Sequence, residues 1–488
     1  MKAPRTFAAL TPQAVANAVR EAIPAIATSL RPDVLAALGD AYACETDSRA
    51  QGIIAQIVEN DAIGRCDGVP ICQDTGSVWI YLEVGEELAI PAGIFSLVDE
   101  AVADAFTQNK LRMSILADAL VDRTNTKTNT PVFTEIGIRS GKGATLHVML
   151  KGGGSDNASR VIMLPPGAGF ASIRAEVRKC VLEKGSAACP PLIIGIGVGA
   201  TFDKVGALAK KALLRPVGVP NPDPRIASLE QELLDVVNAT GVGPAGLGGA
   251  STALSVAINT APCHIAALPL AINMGCCAMR SVSIELAGDG VELSEAKQHD
   301  IELSQTPEVK QPIEIRLPAS KEQLAQLCAG QSVTLTGAVY TMRDAGHVRT
   351  LEALERDGAL PFGLDGATLF YAGPTPESAG RPLGSVGPTT ASRMDFATPA
   401  LYASGIAATI GKGARSSAVA QACKDFGCVH FTAVGGIAAL LATYVKSAEP
   451  IAWPDLGTEA LVKLEVEGLP AFVGIDTQGN DIFSALHA

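Results

Sequence analysis

The sequence predicts a mixed α+β and α/β protein of two domains, and three observations carry that expectation. At 488 residues the chain is too long for one ordinary hydrophobic core. Helix-spaced and strand-like segments alternate on both sides of residues 286–312, where the sequence turns polar and acidic and loses periodicity, as a linker does. Hydrophobic residues make up 48% against 18% charged, with 49 glycines, which describes a compact enzyme-like chain with many close backbone approaches. The expected domains are residues 1–300 and 313–488.

Residues 11–65 read as helices, since Thr11-Pro12 is a start signal and Ile53, Ile54, Ile57 and Val58 recur at helical spacing. Val78–Val84 is an apolar, β-prone run, followed by a helix across 93–110. Arg123–Thr130, R-T-N-T-K-T-N-T, is too rich in amides and hydroxyls for a core element and reads as a loop. Strands are expected at Val132–Ile138, Ala144–Leu150 and Leu192–Val198, with helices at 171–184 and 225–239. In the second domain Ile313–Leu317, Val333–Leu335 and Ala367–Tyr371 read as strands. Helical patterns occupy Ser320–Leu327 and roughly 396–406, 415–424 and 435–447.

The net charge of −12 argues against a nucleic-acid partner, and means that an anionic substrate needs dedicated Arg and Lys. The N-terminus has no apolar core long enough for a secretory signal. The most apolar later run, His264–Met279, is interrupted by Pro269 and too short to span a bilayer. A cytoplasmic protein without a membrane partner is expected, and its eleven cysteines are then thiols or metal ligands rather than disulfides.

The chemistry centres on Val69–Gly76, V-P-I-C-Q-D-T-G. One turn beside a strand presents the Cys72 thiol, the Gln73 amide, the Asp74 carboxylate and the Thr75 hydroxyl. A tight loop with a buried cysteine and a turn-capping aspartate would look the same. Cys72, Cys189 and Cys276 each sit in a loop-like context flanked by Pro or Gly. Three thiolates on a four-iron cluster would leave one iron without a protein ligand, free to act as a Lewis acid. Gly387–Asp395, G-P-T-T-A-S-R-M-D, sets two hydroxyls and a guanidinium on a Gly-Pro turn, suited to a carboxylate. Arg343 and Lys412, the latter in I-G-K-G, add cations; solvated surface charges are the plainer alternative. Gly195–Ala200 fits G-x-G-x-x-A, a dinucleotide fingerprint, but no Asp or Glu stands between Val205 and Asn221 to meet a ribose, and close strand–helix packing explains the glycines equally well.

Taken together, V-P-I-C-Q-D-T-G, L-R-M-S, N-T-K-T-N-T-P, K-G-G-G-S, C-P-P, P-C-H with a cysteine twelve residues beyond the histidine, R-D-A-G-H, G-P-T-T-A-S-R-M-D and I-G-K-G resemble the class I, iron–sulfur-dependent fumarate hydratases and the related tartrate and mesaconate enzymes. The motifs run in family order from about residue 50 to residue 413. The resemblance implies a [4Fe-4S] cluster on Cys72, Cys189 and Cys276, with Cys277 the neighbour most easily confused with the third ligand. It implies substrate contacts from Gln73, Asp74, Arg112, the Gly154 backbone, His264, Arg343, Thr389, Thr390, Arg393 and Lys412. It also implies an N-terminal α/β cluster-binding domain, a C-terminal swivelling β/β/α domain, and a homodimer. The sequence departs from the pattern at Cys263, where an arginine is common before the histidine.

The implied activity is reversible hydration of fumarate to L-malate, with Thr389 as the base and Asp74 as acid/base partner for the hydroxyl. A mesaconate or tartrate hydro-lyase would use the same apparatus, because one methyl is worth only about 1–3 kcal/mol in a pocket. A nicotinamide-dependent oxidoreductase using Gly195–Ala200 and a non-catalytic iron–sulfur sensor are the readings from other classes.

Overall fold

The computed structural model describes residues 10–484 apart from 122, 288–289, 293–302, 304–310 and 379. Most of the expected linker lies outside the described residues.

Three helices open the chain: α1 (Pro12–Thr28), α2 (Pro32–Cys44) and α3 (Ser48–Asp67). The Thr11 hydroxyl caps α1 by accepting from the Ala14 amide, and Asp47 caps α3 by accepting from Ala50. α3 stops at Gly68, whose φ of 62° suits a residue without a Cβ.

β1 (Ser77–Gly85), β2 (Phe133–Arg139), β3 (Ala144–Lys151), β4 (Arg160–Leu164), β5 (Leu192–Ala200), β6 (Ala253–Cys263), β7 (Leu268–Gly275), β8 (Arg280–Ala287) and β9 (Gly290–Glu292) form two sheets, ordered β2-β1-β3-β8-β9 and β4-β7-β5-β6. β1 is buried on both faces. Val78, Ile80, Leu82 and Val84 pack against α1 and the helix Val98–Gln108, while Trp79 and Tyr81 join the core that holds Cys72 and Cys189. The expected helix over 93–110 is thus confined to 98–108. β6, β7 and β8 fill a stretch where the sequence analysis placed no strands. Their small residues and prolines blur the β pattern, and tertiary pairing with β5 and β3 supplies what propensity does not. The first residues of the expected linker still belong to the sheet, since Glu285 pairs with Glu292.

The rest is one seven-stranded sheet of β10 (Ile313–Leu317), β11 (Ser332–Thr341), β12 (Thr368–Phe370), β13 (Ala408–Gly411), β14 (Val429–Thr432), β15 (Val445–Ala452) and β16 (Leu461–Ile475). β16 pairs with β14 at its C-terminal end and with β11 along its length, so β11, β12, β13, β14 and β16 close into a ring. β10 and β15 lie at its margins. The helix expected over 435–447 is only Ala438–Thr443; Val445 already begins β15.

The two portions meet around Val69–Gly76. Asn60, buried on α3, donates to the carbonyls of Ile71 and Gly436 at 3.0 and 3.2 Å and accepts from the Leu440 amide at 3.0 Å. Ser385 donates to the Pro70 carbonyl. Among the described residues no helix is long and apolar enough to cross a membrane.

Candidate active site

Val69–Gly76 is a fastened loop. The Ile71 amide donates to Ala27 of α1, and the Ile71 carbonyl accepts from Asn60 and from the Ala438 amide. Cys72 is thereby held at the boundary between the portions and is 9% exposed. Cys189 precedes β5 with a left-handed φ of 59°. Cys276 and Cys277 follow β7, next to Cys189 because β7 pairs antiparallel with β5 and the Cys277 amide donates to the Cys189 carbonyl at 3.0 Å.

These four thiols lie within one another's electrostatic reach. Burial pushes Cys72 up to about 11, opposed by Arg280 and reinforced by Asp74, Cys276 and Cys189. Burial raises Cys277 too, with its three thiol neighbours adding to the shift. Cys277 is fully buried, with its sulfur 3.6 Å from the Gly435 carbonyl, whereas Cys276 is partly open. Two glycines of the second portion leave room here. A Cβ at Gly435 would stand 2.4 Å from the Cys189 sulfur, and one at Gly436 would stand 2.5 Å from the Cys277 sulfur. Among the described residues no group of three or more His, Cys, Asp or Glu side chains is arranged to hold a single metal ion.

Asp74 accepts from the Gly153 amide at 2.8 Å and pairs with Arg112 at 2.9 Å. Burial works to raise its carboxyl, but Arg112, Arg280 and the Gly153 amide outweigh it and hold it at about 2. Arg112 also donates to the Gly373 carbonyl at 3.0 Å, and the Gln73 amide reaches the Pro388 carbonyl at 3.4 Å.

The second portion adds further cations. Lys412 ends the crossing from β13, and its ammonium lies 2.6 Å from the Cys189 sulfur. That thiol raises the ammonium pKa against the opposing effect of burial. Thr389 and Thr390 are laced to the same segment: the Lys412 amide donates to Thr389 at 3.1 Å and the Ala391 amide to Lys412 at 2.9 Å. A Cβ at Gly154 would fall 3.4 Å from the Lys412 ammonium and 4.0 Å from the Thr390 hydroxyl, so its backbone faces both. Arg343 is lowered to about 10, first by burial and then by Arg112, with a further contribution from Arg393, and remains cationic at neutral pH. Glu459 and Asp344 pair with Arg343 and Arg393 respectively. Guanidinium groups held in mutual repulsion suit a polyanionic ligand.

One expected contact does not converge within the chain. His264 is exposed in the turn after β6, and its ring accepts from the Ala266 amide. β5 and β6 run parallel from Leu192↔Ala253 to Ala200↔Cys263, so His264 sits at the far end of the sheet from Cys189. At about 3.3 Å per residue that separation is roughly 25–30 Å. The Gly195–Ala200 glycines lie inside β5. A Cβ at Gly195 or Gly197 would meet the Ala209 or Val205 carbonyl of the helix Phe202–Ala212 at 2.3 or 2.4 Å, which is strand–helix packing. Sequence reasoning missed Asn60, Gly435, Gly436 and Arg280. The double glycine and a lone arginine after two cysteines were the only signals.

A family model described as "Fumarate hydratase (Fumerase)" matches residues 16–285, and one described as "Fumarase C-terminus" matches residues 288–486. The chain belongs to the class I fumarate hydratase family. Its relatives include "Fumarate hydratase class I, anaerobic" of Escherichia coli (strain K12), 30% identical over 99% of this chain and 91% of the relative. "Fumarate hydratase 1, mitochondrial" of Leishmania major is 30% identical over 91% of this chain and 84% of its own. The "Putative L(+)-tartrate dehydratase subunit alpha" of Methanocaldococcus jannaschii is 36% identical over 54% of this chain and 95% of its own.

Proposed function

We propose that this hydro-lyase catalyses the reversible hydration of fumarate to L-malate, with a [4Fe-4S] cluster on Cys72, Cys189 and Cys276. The observation that carries the reading is the meeting of these thiols and Asp74 from the first portion with Lys412, Arg343 and Arg393 from the second. The residues fit such a group in three respects. The donors are soft thiols, which suit iron–sulfur chemistry. Gly435 and Gly436 clear space beside two sulfurs. Arg280 keeps two buried, unpartnered N–H groups within the field of Cys72. Cys276, more open than Cys277, is the better placed of the pair.

When bound, the group supplies a Lewis-acidic iron for the substrate hydroxyl. The protein does the rest. Arg112, Arg343, Arg393 and Lys412 bind the two carboxylates. They bind more strongly as negative charge builds during loss of the C3 proton, which lowers the barrier rather than only the ground state. Thr389 takes that proton; its alkoxide needs neighbouring cations, for which Arg393, four residues on, and Lys412, whose amide donates to the Thr389 carbonyl, are the candidates. Asp74, kept as a carboxylate by Arg112, receives a proton from water in the hydration direction and returns it in dehydration. Gln73 and the Gly154 backbone orient the diacid. A swivelling closure of the second portion, a homodimeric assembly and a cytoplasmic location complete the proposal.

The tartrate reading has its own support, since that relative is 36% identical over 54% of this chain, against 30% over 99% for the Escherichia coli fumarate hydratase. Anaerobic purification with an absorbance spectrum, followed by fumarate, mesaconate and tartrate assays on one sample, tests both. A brown protein that consumes fumarate fastest is expected. A colourless, iron-free protein after reconstitution would overturn the cluster, and a preference for tartrate would replace the substrate alone. Thr389→Ala is expected to lower turnover by orders of magnitude with the cluster absorbance intact; loss of the absorbance would make the threonine structural.

A further inference from the structure

Arg280 opens β8, three residues after Cys277, and its side chain is among the largest fully buried ones in the described residues, at 1% exposure. It stands opposite Leu150 in the β3–β8 register, beside Lys151, whose ammonium is also buried and donates to Ser155 and to the Met274 carbonyl. One arm of the guanidinium is committed: Nη2 donates to the main-chain carbonyl of Asp74 at 2.7 Å. The other two positions, Nε and Nη1, have no hydrogen-bond partner among the described residues. Buried donors without acceptors are costly, at about 1–3 kcal/mol each and more when charged. A fold that retains two on one side chain points them at something it binds. The same guanidinium acts on the Cys72 thiol and on Asp74. Gly152 keeps the corner open, since a Cβ there would stand 3.4 Å from the Asp74 carboxylate and 3.8 Å from Nη2.

We propose that Arg280 is a positioning residue that ties the metal group to Asp74. The unpartnered N–H groups donate to acceptors of the bound group, and Nη2 fixes the Asp74 backbone. One rigid planar fork would thereby link the group to the loop that carries Asp74. A lysine would keep the charge and lose the fork. Donors to sulfur and nearby positive charge favour the more reduced, more negative cluster, so Arg280 also holds the reduction potential up. This inference rests on the iron–sulfur reading given above.

The test uses anaerobically purified full-length protein, wild type, Arg280→Lys and Arg280→Gln, with four readouts: iron and sulfide per chain, rate of iron loss to a chelator, reduction potential and the KM-against-kcat split. Iron loss is expected to accelerate roughly 10–100-fold in both variants. The potential should fall in Arg280→Gln, and kcat should fall more than KM rises as Asp74 loosens. Pulsed EPR of the reduced wild type with ¹⁵N-arginine should show a nitrogen coupling that Arg280→Lys lacks. Should Arg280→Gln fail to fold, the lysine variant and the wild-type coupling decide. A wild type that binds no cluster overturns the iron–sulfur reading. A wild type with a cluster, no arginine coupling and variants of unchanged potential and iron retention overturns this inference alone.

Discussion

At the scale of the residue, the site is made by what is missing as much as by what is present. Gly435 has no Cβ because the Cys189 sulfur and the Lys412 side chain occupy that space, at 2.4 and 2.9 Å. Gly435→Ala is expected to leave the fold standing and to cut iron content severalfold, read by metal analysis after anaerobic reconstitution; full loading would mean the crowding is relieved by Lys412 swinging aside. Asn60 spends both ends of its amide on three backbone partners from two portions of the chain. Asn60→Ala should therefore cost roughly 1–3 kcal/mol or more by denaturant unfolding, since stranding each buried polar partner costs about 1–3 kcal/mol. Residues proposed to carry chemistry, such as Cys72, Asp74, Lys412 and the arginines, could be singled out in the sequence because thiols, carboxylates and cations on Gly/Pro turns advertise themselves. Asn60, Gly435 and Arg280 were not, because an amide, a missing methyl and one arginine acquire meaning only from partners hundreds of residues away.

At the scale of the element, β5 shows how a local motif yields to packing. Its glycines match a nucleotide-binding pattern, yet they sit within the strand and admit the helix Phe202–Ala212 to backbone contact. Gly197→Ala places a methyl 2.4 Å from the Val205 carbonyl and 2.8 Å from the Ala209 amide. The expected loss is about 1–3 kcal/mol, the usual range for overpacking, with no change in dinucleotide binding. Calorimetry and a nicotinamide titration check the two parts. The long amphipathic helices and the apolar strands β1, β3 and β5 were visible from periodicity. β6–β8 and β13–β16 were not, since strands that are short or are interrupted by Pro and Gly, as β16 is at Gly468 and Pro470, owe their conformation to neighbours in the sheet.

At the scale of the whole molecule, two buried histidines of the second portion are expected to contribute to acid sensitivity. His347 is fully buried, its Nδ1 meeting the Arg343 carbonyl, and burial lowers it to about 4. His430, buried between Thr409 and Arg415, is lowered in the same direction by burial and by Arg415. A histidine whose folded pKa is depressed gives stability that is complete above its unfolded value near 6.5 and is lost as pH falls through the folded one. Thermal unfolding should therefore shift downward between pH 6.5 and 4. His347→Gln should flatten part of that slope, by on the order of 3 kcal/mol across the window. An unchanged slope would place the acid sensitivity elsewhere.

The contact between Lys412 and Cys189 joins positions 223 residues apart. The first portion holds the thiols together with Arg112 and Arg280, and the second adds Lys412, Arg343 and Arg393. A molecule in which only the first portion has folded holds the thiols without Lys412 beside them, and the second portion alone presents its cations with no thiol to face. On the proposed reading, reactivity arrives only when both portions have folded, and the arrangement acts as an interlock that keeps an unfinished chain inert.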